Sequence, residues 1–136
     1  MKSIIDIEMR FSDFDIIGHV HNSRYLCYFE QGRMDLLSKI AGKDWNWKKR
    51  GLILGRNEID YLKPIYIKDL IYIITKCENV GNKSFTLFYE VFKKSKEQDI
   101  LCTKGRSILI CTDYETNTSV PVFDSWKISL LNSIDK

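Results

Sequence analysis

Four segments whose apolar residues recur at every second position constrain the fold of this chain more than any other feature. They lie at 52–63, 69–80, 84–93 and 99–112, and short turns with proline, glycine or charged residues separate them. Such alternation is typical of strands that bury one face. Because the connections are short, successive strands must run antiparallel. These segments are therefore predicted to form one antiparallel sheet.

The region before this sheet contributes a fifth strand and one long helix. The strand is predicted at 5–11, where every second residue is apolar: Ile5, Ile7, Met9 and Phe11. The helix begins where Asn22 or Ser23 can cap it and ends near Gly42, about 18 residues later. Its apolar stripe recurs at spacings of three and four and consists of Tyr25, Leu26, Phe29, Gly32, Leu36, Leu37 and Ile40.

The order of the elements indicates the architecture. One strand, one long helix and four strands give the order β-α-β-β-β-β, and a short helix follows Pro121. Only one long helix is available to cover the apolar face of the sheet. We therefore predict a two-layer α+β fold, with the long central helix packed on a five-stranded antiparallel sheet. Residues 1–136 have the size of a single domain.

The loop between the first strand and the long helix holds the candidate chemistry. It contains Asp13 and Asp15, then Gly18, and then His19 and His21. An ionised carboxylate beside the unpaired N–H groups of a helix start can catalyse acyl transfer, because those groups stabilise a developing oxyanion.

Asp15 is the candidate catalytic carboxylate. It can act as a nucleophile that forms a mixed anhydride or as a general base for water, and the residues alone leave both roles open. A purely structural role, as the first residue of an Asx turn, is the alternative. Asp13 is expected to support the loop instead.

His19, His21 and Asn22 are further candidates for catalysis. The two histidines form an H-x-H pair without the third ligand that zinc needs, so no metal site is expected. One histidine is expected to fix the loop by hydrogen bonding, or else to assist the attacking water or the leaving group. Asn22 either caps the helix only or also orients the bound carbonyl.

The loop and the first helical turns resemble the signature of the hot-dog-fold acyl-CoA thioesterases of the 4-hydroxybenzoyl-CoA thioesterase type. That signature reads D-x-D-x-x-G-H-V-N-N-x-x-Y, followed by Y-F-E-x-x-R. The matching residues are Asp13, Asp15, Gly18, His19, Val20, Asn22 and Tyr25, then Tyr28, Phe29, Glu30 and Arg33. Segment 58–64 resembles the strand that follows the helix in the same family, and 81–85 resembles its next hairpin. The resemblance therefore covers residues from about 5 to about 112.

This chain differs from the signature at position 21, and from some members of the family at position 22. His21 stands where asparagine is common. Some relatives carry a catalytic histidine at the position of Asn22. The role of that histidine therefore has no direct counterpart in this chain.

The resemblance implies hydrolysis of an acyl-CoA thioester without metal or cofactor, in homodimers or homotetramers whose sites lie between subunits. It implies that Asp15 is the catalytic carboxylate and that backbone N–H groups around His21 and Asn22 polarise the carbonyl. The substrate-binding residues that it suggests are Gly18, Tyr25 as a pocket wall, and Lys83 as a partner for a CoA phosphate. An acyl-carrier protein is the alternative carrier of the acyl group.

Composition excludes several other classes of protein. The net charge is +3, and the 21 basic residues are interspersed with 18 acidic ones, so a nucleic-acid partner is not expected. No apolar run approaches the roughly 20 residues of a membrane span. The four cysteines form no C-x-x-C pair, which favours reduced thiols and a cytoplasmic location.

Two other functions remain open at this stage, because a fold does not fix a function. The first is a non-catalytic module that binds acyl-CoA or an acyl carrier. The second is a hot-dog dehydratase of 3-hydroxyacyl thioesters, which would pair a histidine with an acid in a differently placed site.

Overall fold

The computed structural model describes residues 2–134 and shows one antiparallel sheet curled around one long helix. The strands are β1 (Ser3–Ile7), β2 (Arg50–Tyr61), β3 (Ile71–Val80), β4 (Ser84–Lys93), β5 (Ile100–Asp113) and β6 (Thr118–Ser119). The helices are α1 (Tyr25–Ala41) and α2 (Asp124–Asn132), with single 3-10 turns at Phe11–Asp13 and Asn22–Arg24. The α+β fold and the order of its elements are those predicted.

The sheet has the strand order β1-β3-β4-β5-β2, and the short β6 pairs with β5. All pairings are antiparallel. The five predicted strands are therefore confirmed, while β6 lies between the last predicted strand and Pro121, where no strand was predicted. β1 and β2 form the two edges of the main path, so the twelve-residue strand β2 has a neighbour on one side only.

α1 packs closely on the concave face of the sheet. Gly32 allows this approach, because a Cβ at that position would collide with Thr75 Oγ1 and crowd Ile73. Phe29 stacks on Tyr89 with 4.4 Å between the ring centroids. The predicted helical stripe is buried apart from Leu26, which is 38% exposed and does not widen it.

The first strand is shorter than predicted. Alternation suggested a strand to Phe11, but β1 ends at Ile7, and Phe11 begins a 3-10 turn with 87% of its surface exposed. The turn forms because the Asp13 carboxylate accepts the N–H of Arg10 at 3.1 Å. This change of direction carries the chain from the sheet edge toward the start of α1.

The far end of α1 is closed by an aromatic cluster. Trp126 of α2 is fully buried and lies 4.9 Å, between ring centroids, from both Trp45 and Phe123. α1 itself ends at Ala41, and the φ of 80° at the following residue, Gly42, confirms the predicted glycine stop. Neither helix of the part that the structure describes is long and apolar enough to cross a membrane.

Candidate active site

A cavity of about 390 Å³ lies between the loop that precedes α1 and the end of β2. Its lining consists of Asp15, His19, Val20, His21, Asn22, Tyr25, Tyr61, Leu62, Lys63 and Pro64. The structure therefore brings together all four predicted catalytic residues and Tyr25. The wall formed by 61–64 was not predicted as part of the site.

Asp15 uses one carboxylate oxygen to shape its own loop. Oδ1 accepts the N–H groups of Ile17 and His19, each at 3.1 Å, which is an Asx-type turn. No hydrogen bond reaches Oδ2 from any group within residues 2–134. The structural role and the capacity for chemistry thus reside on different oxygens of one side chain.

Gly18 completes this loop without lining the cavity. Its φ of +84° lies in the left-handed region, and its N–H donates to the Asp15 carbonyl oxygen at 3.1 Å. A side chain at this position would be strained by the backbone conformation. The predicted substrate-binding residue Gly18 therefore lies in the turn behind Asp15.

Asp13 supports the loop from below. It is 6% exposed, accepts the Tyr28 hydroxyl at 2.7 Å and lies 3.9 Å from Arg24 Nε. Burial, together with this bond to Asp13, raises the pKa of Tyr28 well above its usual value. The backbone carbonyl oxygen of Asp13 accepts the N–H of His21 at 2.8 Å. These contacts agree with the supporting role predicted for Asp13.

One amide at the helix start is left without a partner. The Ser23 N–H donates to His21 Nδ1 at 3.2 Å, and the Arg24 N–H donates to the His21 carbonyl oxygen at 2.9 Å. The His21 N–H is bonded to Asp13, whereas the Asn22 N–H has no acceptor within residues 2–134. The backbone N–H of Asn22 is therefore available to bind an oxyanion.

The capping residue is not the predicted one. His21 caps the 3-10 turn through its imidazole, so the assignment of the cap to Asn22 or Ser23 is wrong. An unprotonated imidazole nitrogen can accept an N–H just as a side-chain oxygen does. The expectation that the His21 amide polarises the substrate carbonyl is also wrong, because Asp13 already accepts its hydrogen.

His19 fixes the loop against the segment that follows β2. Its backbone pairs with Tyr66, and the two rings meet edge to face with 4.8 Å between centroids. Its N–H binds Asp15 Oδ1. Within the described part of the chain, His, Cys, Asp and Glu side chains form no group of three that could hold a metal ion.

Two tyrosines whose rings are in contact line the cavity. Tyr25 is 4% exposed and meets the ring of Tyr61 at 5.2 Å. Burial raises the pKa of Tyr25 to about 12, so its hydroxyl stays protonated and cannot act as a base near neutral pH. The Tyr61 hydroxyl donates to the Asn22 carbonyl oxygen at 3.2 Å. Position 61 follows a charged residue near the end of an alternating strand, but sequence alone gave no sign of this contact.

Lys83 lies at the opposite end of the sheet from the cavity. Tyr61 pairs with Thr103, whereas Ser84 pairs with Ile110 on the same strand. Seven residues of extended chain span about 23 Å. Within one chain, Lys83 therefore does not lie beside the cavity.

Comparisons with known proteins agree with this geometry. The family model for the thioesterase-like superfamily matches residues 9–129. Long-chain acyl-CoA thioesterase FadM of Escherichia coli is 25% identical over 118 residues, which cover 84% of this chain and 86% of FadM.

Two solved structures share the whole fold. A predicted thioesterase from Bacillus stearothermophilus superposes with a TM-score of 0.87 at 25% identity, covering 100% of this chain and 98% of the other. DHNA-CoA thioesterase from Staphylococcus aureus gives a TM-score of 0.81 at 26% identity, covering 96% and 93%.

Proposed function

Because the chain belongs to the thioesterase-like superfamily and is a thioester hydrolase, we propose that it cleaves an acyl-CoA to the free acid and CoA. The observation that carries the proposal is the pairing of two groups in one cavity. Oδ2 of Asp15 accepts no hydrogen bond from residues 2–134, and the backbone N–H of Asn22 donates none to them. A thioester carbonyl between them would meet both a base or nucleophile and an oxyanion donor.

The proposed reaction has two forms that differ in the first bond made. As a general base, Asp15 takes a proton from water while the water oxygen adds to the carbonyl carbon. As a nucleophile, Asp15 adds directly and forms a mixed anhydride, which water then hydrolyses. In both forms the C–S bond breaks and CoA leaves as a thiolate, while the Asn22 N–H binds the carbonyl oxygen.

We propose that this reaction needs neither metal nor cofactor. The carboxylate and the amide supply the two functions that thioester hydrolysis requires, activation of the attacking group and stabilisation of the oxyanion. A chelator should therefore leave the rate of thiol release unchanged.

The proposed enzyme is a dimer joined through β2. This edge strand is twelve residues long and exposes Ile53 (48%) and Leu54 (43%), a combination that favours pairing with another chain. Antiparallel pairing of two β2 strands about a two-fold axis sets the start of one beside the end of the other. In such a dimer, the end of the partner's sheet that carries the partner's Lys83 lies beside the cavity of the first protomer. The partner's Lys83 can then contact a phosphate of CoA bound in that cavity.

Thiol release from a panel of acyl-CoAs of different chain lengths, which includes 3-hydroxyacyl-CoAs, tests the proposed function. A thiol reagent detects free CoA, and mass spectrometry identifies the acyl product. Release of CoA with the free acid supports hydrolysis. Tight binding without release would instead indicate a non-catalytic acyl-CoA module, and an enoyl product that remains a thioester would indicate a dehydratase.

A further inference from the structure

The imidazole of His21 is held in a defined orientation by the residue two positions later. Nδ1 accepts the Ser23 N–H at 3.2 Å and lies 2.7 Å from Ser23 Oγ. A backbone N–H is always a donor, so Nδ1 must present its lone pair. A neutral ring with a lone pair on Nδ1 carries its proton on Nε2.

The other ring nitrogen is free to meet a ligand. His21 lines the cavity beside Asn22, and Nε2 makes no hydrogen bond within residues 2–134. We infer that His21 acts as a neutral Nε2–H hydrogen-bond donor to the thioester group, alongside the Asn22 N–H. This role rests on the proposed function.

This assignment separates hydrogen bonding from proton transfer. Nε2 already carries a proton and cannot take one from water. Loss of that proton would leave an imidazolate, which is not formed near neutral pH. His21 therefore stabilises charge in the cavity without acting as general acid or base, and Asp15 remains the group that activates the attacking atom.

The inferred donor also explains the unusual residue at this position. An asparagine can accept the Ser23 N–H through Oδ1 and donate through Nδ2. A neutral His21 with its proton on Nε2 offers the same acceptor and the same donor. Histidine at position 21 thus replaces the asparagine of the resembled signature without changing the hydrogen-bonding pattern.

Nitrogen-15 NMR of the labelled protein tests the tautomer without any substrate. The chain has two histidines, so a His19→Gln variant assigns both rings. At mildly alkaline pH, two-bond proton–nitrogen correlations should show an unprotonated Nδ1 and a protonated Nε2 for His21. A proton on Nδ1 would overturn the inference. This readout stands even if the protein releases no thiol, which is the failure of the proposed function.

Kinetics of two variants test the donor role. We expect His21→Asn to have a kcat/KM about tenfold higher than His21→Ala, because the amide restores one hydrogen bond to the substrate. Circular dichroism and thermal unfolding check that both variants fold. Equal loss in the two variants would indicate proton transfer by the imidazole and contradict the inference, and so would an alanine variant as active as the wild type.

Discussion

The Tyr61 hydroxyl donates a hydrogen bond of 3.2 Å to the Asn22 carbonyl oxygen and ties the end of β2 to the turn before α1. The residues that it joins lie 39 positions apart in the chain. Since the Asn22 peptide borders the unpaired N–H proposed to bind the oxyanion, this bond helps to hold that donor in place. The ring of Tyr61 is also held by its edge-to-face contact with the ring of Tyr25.

Removal of this hydroxyl should slow the reaction. We expect Tyr61→Phe to lower kcat about five- to tenfold, as the loss of one positioning hydrogen bond does. KM should change less, since the ring remains to line the cavity. Tyr66→Phe is the matched control, because the Tyr66 ring contacts His19 but its hydroxyl makes no hydrogen bond within residues 2–134. Equal rates for the two variants would contradict a positioning role for Tyr61.

Substitution of the proposed catalytic carboxylate should abolish most of the activity. Asp15→Asn keeps an oxygen that can accept the Ile17 and His19 N–H groups, so the loop should keep its shape. The variant loses the negative charge, and we expect kcat to fall about 100-fold or more. Steady-state thiol release on several acyl-CoAs measures this effect.

Asp60→Asn serves as the control for Asp15→Asn. Asp60 is an exposed carboxylate near the end of β2, and it does not line the cavity. Its substitution should leave the rate unchanged. Hydrolysis by Asp15→Asn at the wild-type rate would exclude Asp15 from the chemistry.

Because Tyr25 is buried in the cavity lining, we expect the protein to lose stability in alkaline solution. The pKa of Tyr25 rises to about 12 in the folded protein, so its contribution is complete below about pH 10 and declines as the pH rises toward 12. Between about pH 9 and about pH 11 the wild type should lose about 1 kcal/mol more of its free energy of unfolding than Tyr25→Phe does. Urea unfolding at each pH measures the difference. Parallel pH profiles for the two proteins would contradict it.

Local sequence patterns were sufficient to predict most of the fold. The strand at 84–93 agrees with β4 at both ends, because strict alternation runs between two clear turns. The first strand was predicted too far because apolar Phe11 continues the alternation. In the structure the Asp13 carboxylate accepts the N–H of Arg10, and the backbone turns there. β6 was missed because two polar residues pair with β5 and carry no apolar signal.

The candidate site could be predicted only where its residues are neighbours in sequence. The loop that holds Asp15, His19 and Asn22 forms one wall of the cavity and was found from its motif. Tyr61 forms the other wall, and only the pairing of β2 with β5 brings it there. The cap was missed because histidine becomes a capping acceptor only as a neutral ring, a state that sequence does not specify.

The exposed edge of β2 should determine the oligomeric state. We expect the wild type to sediment as a dimer or larger oligomer and Leu54→Asp to shift it toward monomer, since a charge at the centre of the pairing edge opposes strand addition. Ile4→Asp tests the other edge, where Ile4 of β1 is 54% exposed, and should leave the oligomer intact. A monomeric wild type, or equal behaviour of the two variants in analytical ultracentrifugation, would contradict pairing through β2.

The placement of Lys83 predicts a substrate-dependent defect. If the partner's Lys83 contacts a CoA phosphate, Lys83→Ala should raise KM for acyl-CoA about threefold to tenfold, as the loss of a partly exposed charge pair does. KM for the corresponding acyl-pantetheine, which has no phosphate, should not change. Lys127→Ala, an exposed lysine on α2, is the control of equal charge and should affect neither substrate. An equal rise of KM for both substrates would indicate that Lys83 acts on the fold and does not bind phosphate.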